Sequence, residues 1–222
     1  LSLKSAFKIK IKQVVQGRLS TGCIKLDLEL KRCLYLVINP YFERIQELQS
    51  ESIEMQIYSW THIEVFSFQW WLLMAVLIIP WFIWWKLVDR KRLKEILLYG
   101  FFVMTVVTVI DEVGCQLNLW EYPYDIEPLF PRLIPINFTA LPVIFMFVFQ
   151  YFSEWKPFII ASVLVAAVLS FIGENILEWA GIYVLFKWEN YYSLPIYIII
   201  GASLKWLLEI VLKKENDARK IH

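Results

Sequence analysis

The sequence predicts an all-α integral membrane protein, a helical bundle with about five transmembrane helices. Three observations predict it. The chain is 59% hydrophobic and 17% aromatic, well above the 45–50% apolar content usual for soluble domains. Its mean hydropathy is +0.53. Its 222 residues hold five apolar stretches of roughly the 20 residues that a helix needs to cross a bilayer.

The elements come in this order. Residues 1–54 form a basic N-terminal extension with nine Lys or Arg and no stretch long enough to span. Within it "FKIKIKQVV" and "IKLDLEL" alternate apolar and charged residues with the period of two that marks strands. Three readings of this segment stand: a small amphipathic hairpin, a disordered tail, or a stretch upstream of the working protein. Residues 55–222 form the transmembrane domain. The first span, 66–85, reads "FSFQWWLLMAVLIIPWFIWW". It contains Pro80, which membrane helices tolerate better than soluble ones. The others are expected at 93–117, 134–152, 158–179 and 194–212.

Basic residues orient these spans. The link between the first two reads "KLVDRKRLK" and holds five of them. With Lys156, Lys205 and the tail "KKENDARKIH", one side of the spans carries eleven basic residues and the other two, Arg132 and Lys187. Lys and Arg collect on the cytoplasmic side, so the sequence predicts a multi-pass protein of the cell membrane with its C-terminus in the cytoplasm. Lys205 and Glu209, four residues apart, are expected to pair.

Inside this apolar pattern stand polar residues. Asp111 lies 18 residues beyond Leu93, about 27 Å along an ideal helix; Glu174 lies about 24 Å beyond Phe158 on its own span. The third span runs the opposite way, so Asn137 and Thr139 in its first turns reach the same depth. Asp111, Glu112, Asn137, Thr139, Glu174, Asn175 and Glu178 therefore form a candidate intramembrane cluster in the outer leaflet. Ser162, Ala166, Ser170, Glu174 and Glu178 recur every four residues along one drifting stripe. Small residues at that spacing admit a neighbouring helix, so the acids that continue the stripe face protein or a cleft. Asp111 shares its helix face with Gly114 and Cys115. Ionised carboxyls in a membrane need a partner, a cavity or water, and no basic residue stands at this depth. Three readings stay open: solvated helix ends, a polar cluster that locks helix packing, and a binding or catalytic site.

The loop "LWEYPYDIEPLFPRLIP" carries Trp120, Tyr122 and Tyr124, expected as an interfacial aromatic belt. Its prolines forbid a regular helix. It reads as a compact connector or as a lid over the carboxylates.

Other chemistry finds little support. The three cysteines, Cys23, Cys33 and Cys115, lack metal or redox spacing. The two histidines lie outside the spans, which argues against a His-based zinc or haem site. No nucleotide loop, nucleophile elbow or metalloprotease motif is present. No cofactor and no metal is implied. The net charge of +1 gives no reason to expect nucleic acid. The partners indicated are membrane lipid and a small cation or apolar ligand. The leading functional expectation is binding of a lipid, cation or protein through the polar layer. One alternative is an enzyme acting on a prenyl or lipid substrate, with Asp111 or Glu112 as general acid and Glu174 as its partner. The other is proton- or cation-coupled transport.

The segments "DEVG", "LWEYPY", "FQYF" and "WENYYSLPIYI" resemble a family of small, uncharacterised multi-pass membrane proteins of spore-forming Gram-positive bacteria. The likeness covers about residues 66–206 and implies a bacterial cytoplasmic membrane and no particular activity. A fainter likeness, to integral-membrane lycopene cyclase domains, rests on helical layout and acids near the membrane. Those domains carry paired acids after a proline in a span. Here that place reads "LIPINFT", with Asn137 where an acid would stand.

Overall fold

The computed structural model describes residues 41–129 and 132–219. The chain divides into two units, Leu1–Glu54 and Met55–His222. The predicted hairpin lies outside the described residues. Helix α1 (Phe42–Ser59) forms in a region where the sequence predicts no element. A π-helical turn, Trp60–Glu64, comes after α1, and every later element belongs to the second unit.

The bundle begins with α2 (Phe68–Leu87), which is capped where Ser67 accepts a hydrogen bond from the Trp70 amide at 3.1 Å. An N-cap hydroxyl of this kind satisfies one of the amides that the first turn leaves unpaired. Only Leu73 and Trp84 of α2 are buried. Phe68, Trp71, Ile78, Phe82, Ile83 and Trp85 face outward, a contiguous apolar surface that water would penalise and lipid does not.

Helix α3 (Leu93–Gln116) buries Ile96, Tyr99, Gly100, Val103, Val107, Asp111, Gly114 and Cys115. Apart from the adjacent pairs Tyr99–Gly100 and Gly114–Cys115, these positions step by three or four, one face of a helix. The third apolar helix, Pro135–Tyr151, opens as a π-helix, Pro135–Ala140, and continues as α4 (Leu141–Tyr151). The Leu141 amide donates to the carbonyl of Ile136, five residues back, just before Pro142, which has no amide to give. Helix α5 (Trp155–Val168) starts earlier than its proline suggested. Pro157 falls in the first turn, where a missing amide costs nothing. A third π segment, Leu169–Gly173, leads into α6 (Glu174–Trp179). Helix α7 (Asn190–Arg219) completes the bundle.

Four helices have the length and composition to cross a membrane: Phe68–Leu87, Leu93–Gln116, Trp155–Trp179 and Asn190–Glu215. This is a membrane protein of all-α class. The third stretch, predicted as a span over 134–152, forms the shorter apolar helix Pro135–Tyr151, so four of the five predicted spans have full length among the described residues.

The packing order places the functional residues. Helix α3 packs on α4 and on α7, α5 packs on α7 and α4, and α2 packs on the π segment before α4. The core between them includes Trp84, Tyr99, Phe145, Phe149, Phe158 and Leu208. The Tyr99 hydroxyl donates to the Gly201 carbonyl at 3.0 Å, which ties α3 to α7.

The two connectors at one end of the bundle meet in a short antiparallel ribbon. Strand β1 (Trp120–Glu121) pairs with β2 (Val184–Leu185), Trp120 opposite Leu185 and Glu121 opposite Val184. Helix α3 ends with Asn118 in the left-handed region (φ +51°) and the Leu119 amide donating to the Gly114 carbonyl, a closure that asparagine tolerates better than most residues. Gly181 (φ +73°) turns the chain after α6.

Candidate functional site

Four helix ends converge beside the ribbon: the last turns of α3 and α6, and the first turns of the Pro135–Tyr151 helix and α7. Asp111 stands on the buried face of α3. Its Oδ1 accepts hydrogen bonds from Trp120 Nε1 (2.9 Å) and the Tyr122 hydroxyl (2.6 Å), and its Oδ2 accepts from Asn137 Nδ2 (2.7 Å). One carboxyl thus joins α3 to the loop and to the next helix. Asn137 donates also to the Arg132 carbonyl (3.1 Å). Burial, then the negative field of Asp111, push the Tyr122 phenol well above its ordinary pKa, so this hydroxyl stays a donor.

Glu174 is held from α7. Its Oε2 accepts from the Ser193 hydroxyl (3.1 Å) and its Oε1 from the Tyr197 hydroxyl (3.0 Å). Trp188 Nε1 donates to Ser193 Oγ (3.0 Å). This bond occupies the acceptor side of the serine and turns its hydrogen toward the carboxyl.

The two acids border one cavity of about 90 Å³. Its walls include Val107, Ile136, Leu177 and Ile196, and its aromatic side is formed by Trp120, Tyr122, Tyr183, Trp188 and Tyr197. Two ring pairs span the connectors: Tyr122 stacks on Tyr183 at 5.4 Å, and Trp120 meets Trp188 edge-on at 5.1 Å. Two of the three π segments, Pro135–Ala140 and Leu169–Gly173, border this site. One contains Asn137; the other ends at the residue before Glu174. A turn bonded i→i+5 is wider than an α turn. A four-residue step across it does not overshoot as it does in an α-helix. Ser162, Ala166, Ser170 and Glu174 are consequently all buried, and the stripe expected from their spacing holds its direction.

Of the sequence-predicted residues, Asp111, Asn137 and Glu174 line the cavity. The other four do not. Glu112 comes one residue after Asp111, about 100° around a helix, and accepts from Gln116 (3.2 Å). Thr139 is buried but accepts from Trp81 Nε1 (3.1 Å), tying α2 to the π segment. Asn175 is exposed and bonds the Phe171 carbonyl and Asn190. Glu178 is exposed, because regular α turns resume after Glu174 and carry the stripe around. Lys205 does approach Glu209, at 3.9 Å. Among the described residues, no group of three or more His, Cys, Asp or Glu could hold a metal ion.

Several residues of the site are not evident from the sequence. Trp120 and Tyr122 read as interfacial belt and are instead partners of Asp111. Ser193 and Tyr197 are four apart on α7, a spacing that puts both hydroxyls on one helix face; that was the available signal. Asp125 gave none. It is buried in the loop, and its carboxyl takes the Ile126 amide (2.7 Å) and the Leu133 amide (2.5 Å). Leu133 has φ +48°, so the carboxylate fixes a backbone position that a leucine does not choose unaided.

Burial raises the Asp125 pKa to about 7 against the pull of those two amides, and the charges of Glu127 and Glu64 add to the rise. A carboxyl whose folded pKa exceeds its unfolded value near 3.8 gives stability that is complete below about pH 4 and is lost as pH rises through about 7. Stability against thermal unfolding should therefore fall between about pH 4 and 7, by no more than the ~4 kcal/mol that a three-unit shift represents. Asp125→Asn should flatten that slope, whatever its effect on absolute stability.

Gly114 sets the height of the roof. A Cβ there would lie 1.9 Å from the Trp120 ring. At Gly100 the same atom would meet Met146 Sδ at 2.5 Å, the end of a flexible side chain that can move aside. Gly114→Ala should lower stability by about 1–3 kcal/mol, and Gly100→Ala by clearly less, in parallel thermal unfolding.

Compared with known protein families, with curated proteins and with solved structures, the chain matches none.

Proposed function

We propose that this membrane protein is a ligand-binding protein whose site is the cavity between Asp111 and Glu174. One observation carries the reading: two carboxyls from separate helices border a single cavity, and each is held by neutral donors alone. A cluster that served only to lock helices would fill its space. This one leaves about 90 Å³ open with polar groups at its edge, the combination of apolar walls and few oriented polar groups that small-molecule sites share.

The acid-catalysis alternative fits less well. Asp111 accepts three hydrogen bonds, the arrangement of an acceptor rather than of a group presenting a proton. Glu112, the other suggested acid, lies outside the cavity lining. The setting proposed is a bacterial cytoplasmic membrane. The eleven-to-two excess of basic residues supports a cytoplasmic C-terminus, which puts the cavity in the outer leaflet. A fluorescent protein fused at the C-terminus should fold and fluoresce if that orientation holds, and an alkaline phosphatase fusion should be inactive.

The binding reading is tested by native mass spectrometry of the gently extracted protein. A small adduct is expected on the wild type and its loss on Ile196→Trp, which fills the cavity from α7. Equal spectra for the two folded proteins would refute occupancy of this cavity.

A further inference from the structure

This inference rests on the ligand-binding reading of the same cavity and names the ligand's chemistry. We propose that the group bound is an organic ammonium, a methylated or alkylated amine head of small size.

Charge is the first argument. The cavity is bordered by two acids, and no Lys, Arg or His lines it. Arg132, in the adjoining loop, is already paired with Glu121. Lys205 sits near the opposite end of the bundle, against the carbonyls of Phe152 and Ser153. Two carboxyls in apolar surroundings with no protein cation among their neighbours form a site in which a cationic ligand supplies the missing charge.

The nature of that cation emerges from the walls. A hard metal ion takes six or more oxygen ligands, whereas most of this lining is aliphatic or aromatic. Indole and phenol rings attract a diffuse organic cation through their faces. Trp120, Tyr122, Tyr183, Trp188 and Tyr197 supply such rings around the two carboxyls. The phenols of Tyr122 and Tyr197 and the indole of Trp120 direct their hydrogens to the acids, which leaves the acids' remaining lone pairs for the ligand. A carboxylate has about four acceptor positions, and Glu174 uses two of them for Ser193 and Tyr197. Glu174 is the better placed of the two to meet the charge. The volume, about 90 Å³, suits a headgroup and not a whole lipid.

Such a head could arrive as a free amine or on a phospholipid. The test reconstitutes the full chain in nanodiscs of phosphatidylglycerol, whose lipids carry no ammonium, and tracks thermal unfolding. The probes are choline, its neutral isostere 3,3-dimethylbutan-1-ol, and discs doped with phosphatidylcholine. Choline or the doped discs should raise the Tm by several degrees, and the isostere should not; whichever succeeds identifies the source. The apparent affinity should fall at least tenfold in Glu174→Gln and stay unchanged in Glu178→Gln, whose side chain is exposed. Equal stabilisation by choline and the isostere would leave the binding reading standing and overturn the ammonium. No shift from any probe, with the adduct also absent from native mass spectra, would overturn both. Should Glu174→Gln fail to fold, the choline and isostere comparison on the wild type decides alone.

Discussion

Asp111→Ala should cost about 2–4 kcal/mol of stability and release the loop between α3 and the Pro135–Tyr151 helix. The substitution deletes the acceptor of three buried donors at once: the Trp120 indole, the Tyr122 hydroxyl and the Asn137 amide. Each unsatisfied buried donor costs about 1–3 kcal/mol. The full sum is not reached, because the adjoining cavity lets water take the place of the lost oxygens. Asp111→Asn should fall between wild type and alanine. One of its amide positions keeps an oxygen, while the other turns a donor toward a donor. Unfolding in mild detergent gives the stability, and limited proteolysis within 117–134 reads the loop. A loop cut no faster in Asp111→Ala than in wild type would mean that the ribbon and the ring pairs hold it without the carboxyl.

Much of this arrangement is legible in the sequence. The period of the apolar residues sets the helices, and the depth argument brings Asp111, Asn137 and Glu174 to one layer, since a rise per residue and an alternation of direction are enough for that. The same argument cannot choose between neighbours. Asp111 and Glu112 have nearly equal depth, and only the angle around α3 sends one inward. Glu178 is lost for a related reason. A four-residue stripe keeps one face only across the π segment before Glu174, and nothing in "VLSFIGENILEW" announces a π turn. The partners of the acids are harder still. Trp120 and Tyr122 reach Asp111 because β1 pairs with β2 across more than sixty residues of sequence, and a contact of that range leaves no local periodicity.

At the opposite end of the bundle, Lys205→Met should be nearly as damaging, at about 2–4 kcal/mol. Lys205 is 1% exposed, the least accessible charged side chain among the described residues. The sequence suggests a simple pair with Glu209, but the 3.9 Å separation makes this the weaker contact. The ammonium instead donates to the Ser153 carbonyl and, at 3.3 Å, to the Phe152 carbonyl, just past the end of α4. There it satisfies carbonyls that a helix end leaves unpaired and meets the negative pole of the helix. It also stands 4.4 Å above the Phe158 ring and 5.3 Å from that of Trp155, so the aromatic faces share its charge. Methionine keeps the apolar stem and removes the charge, leaving two carbonyls in a site too dry to rehydrate them fully. Glu209→Gln, which removes the distant charge while its amide oxygen can still accept from Trp155 Nε1, should cost less than about 1 kcal/mol because that carboxyl is substantially exposed. A double variant isolates the remaining coupling. If Glu209→Gln proves as costly as Lys205→Met, the ion pair and not the helix end is what holds the lysine in place.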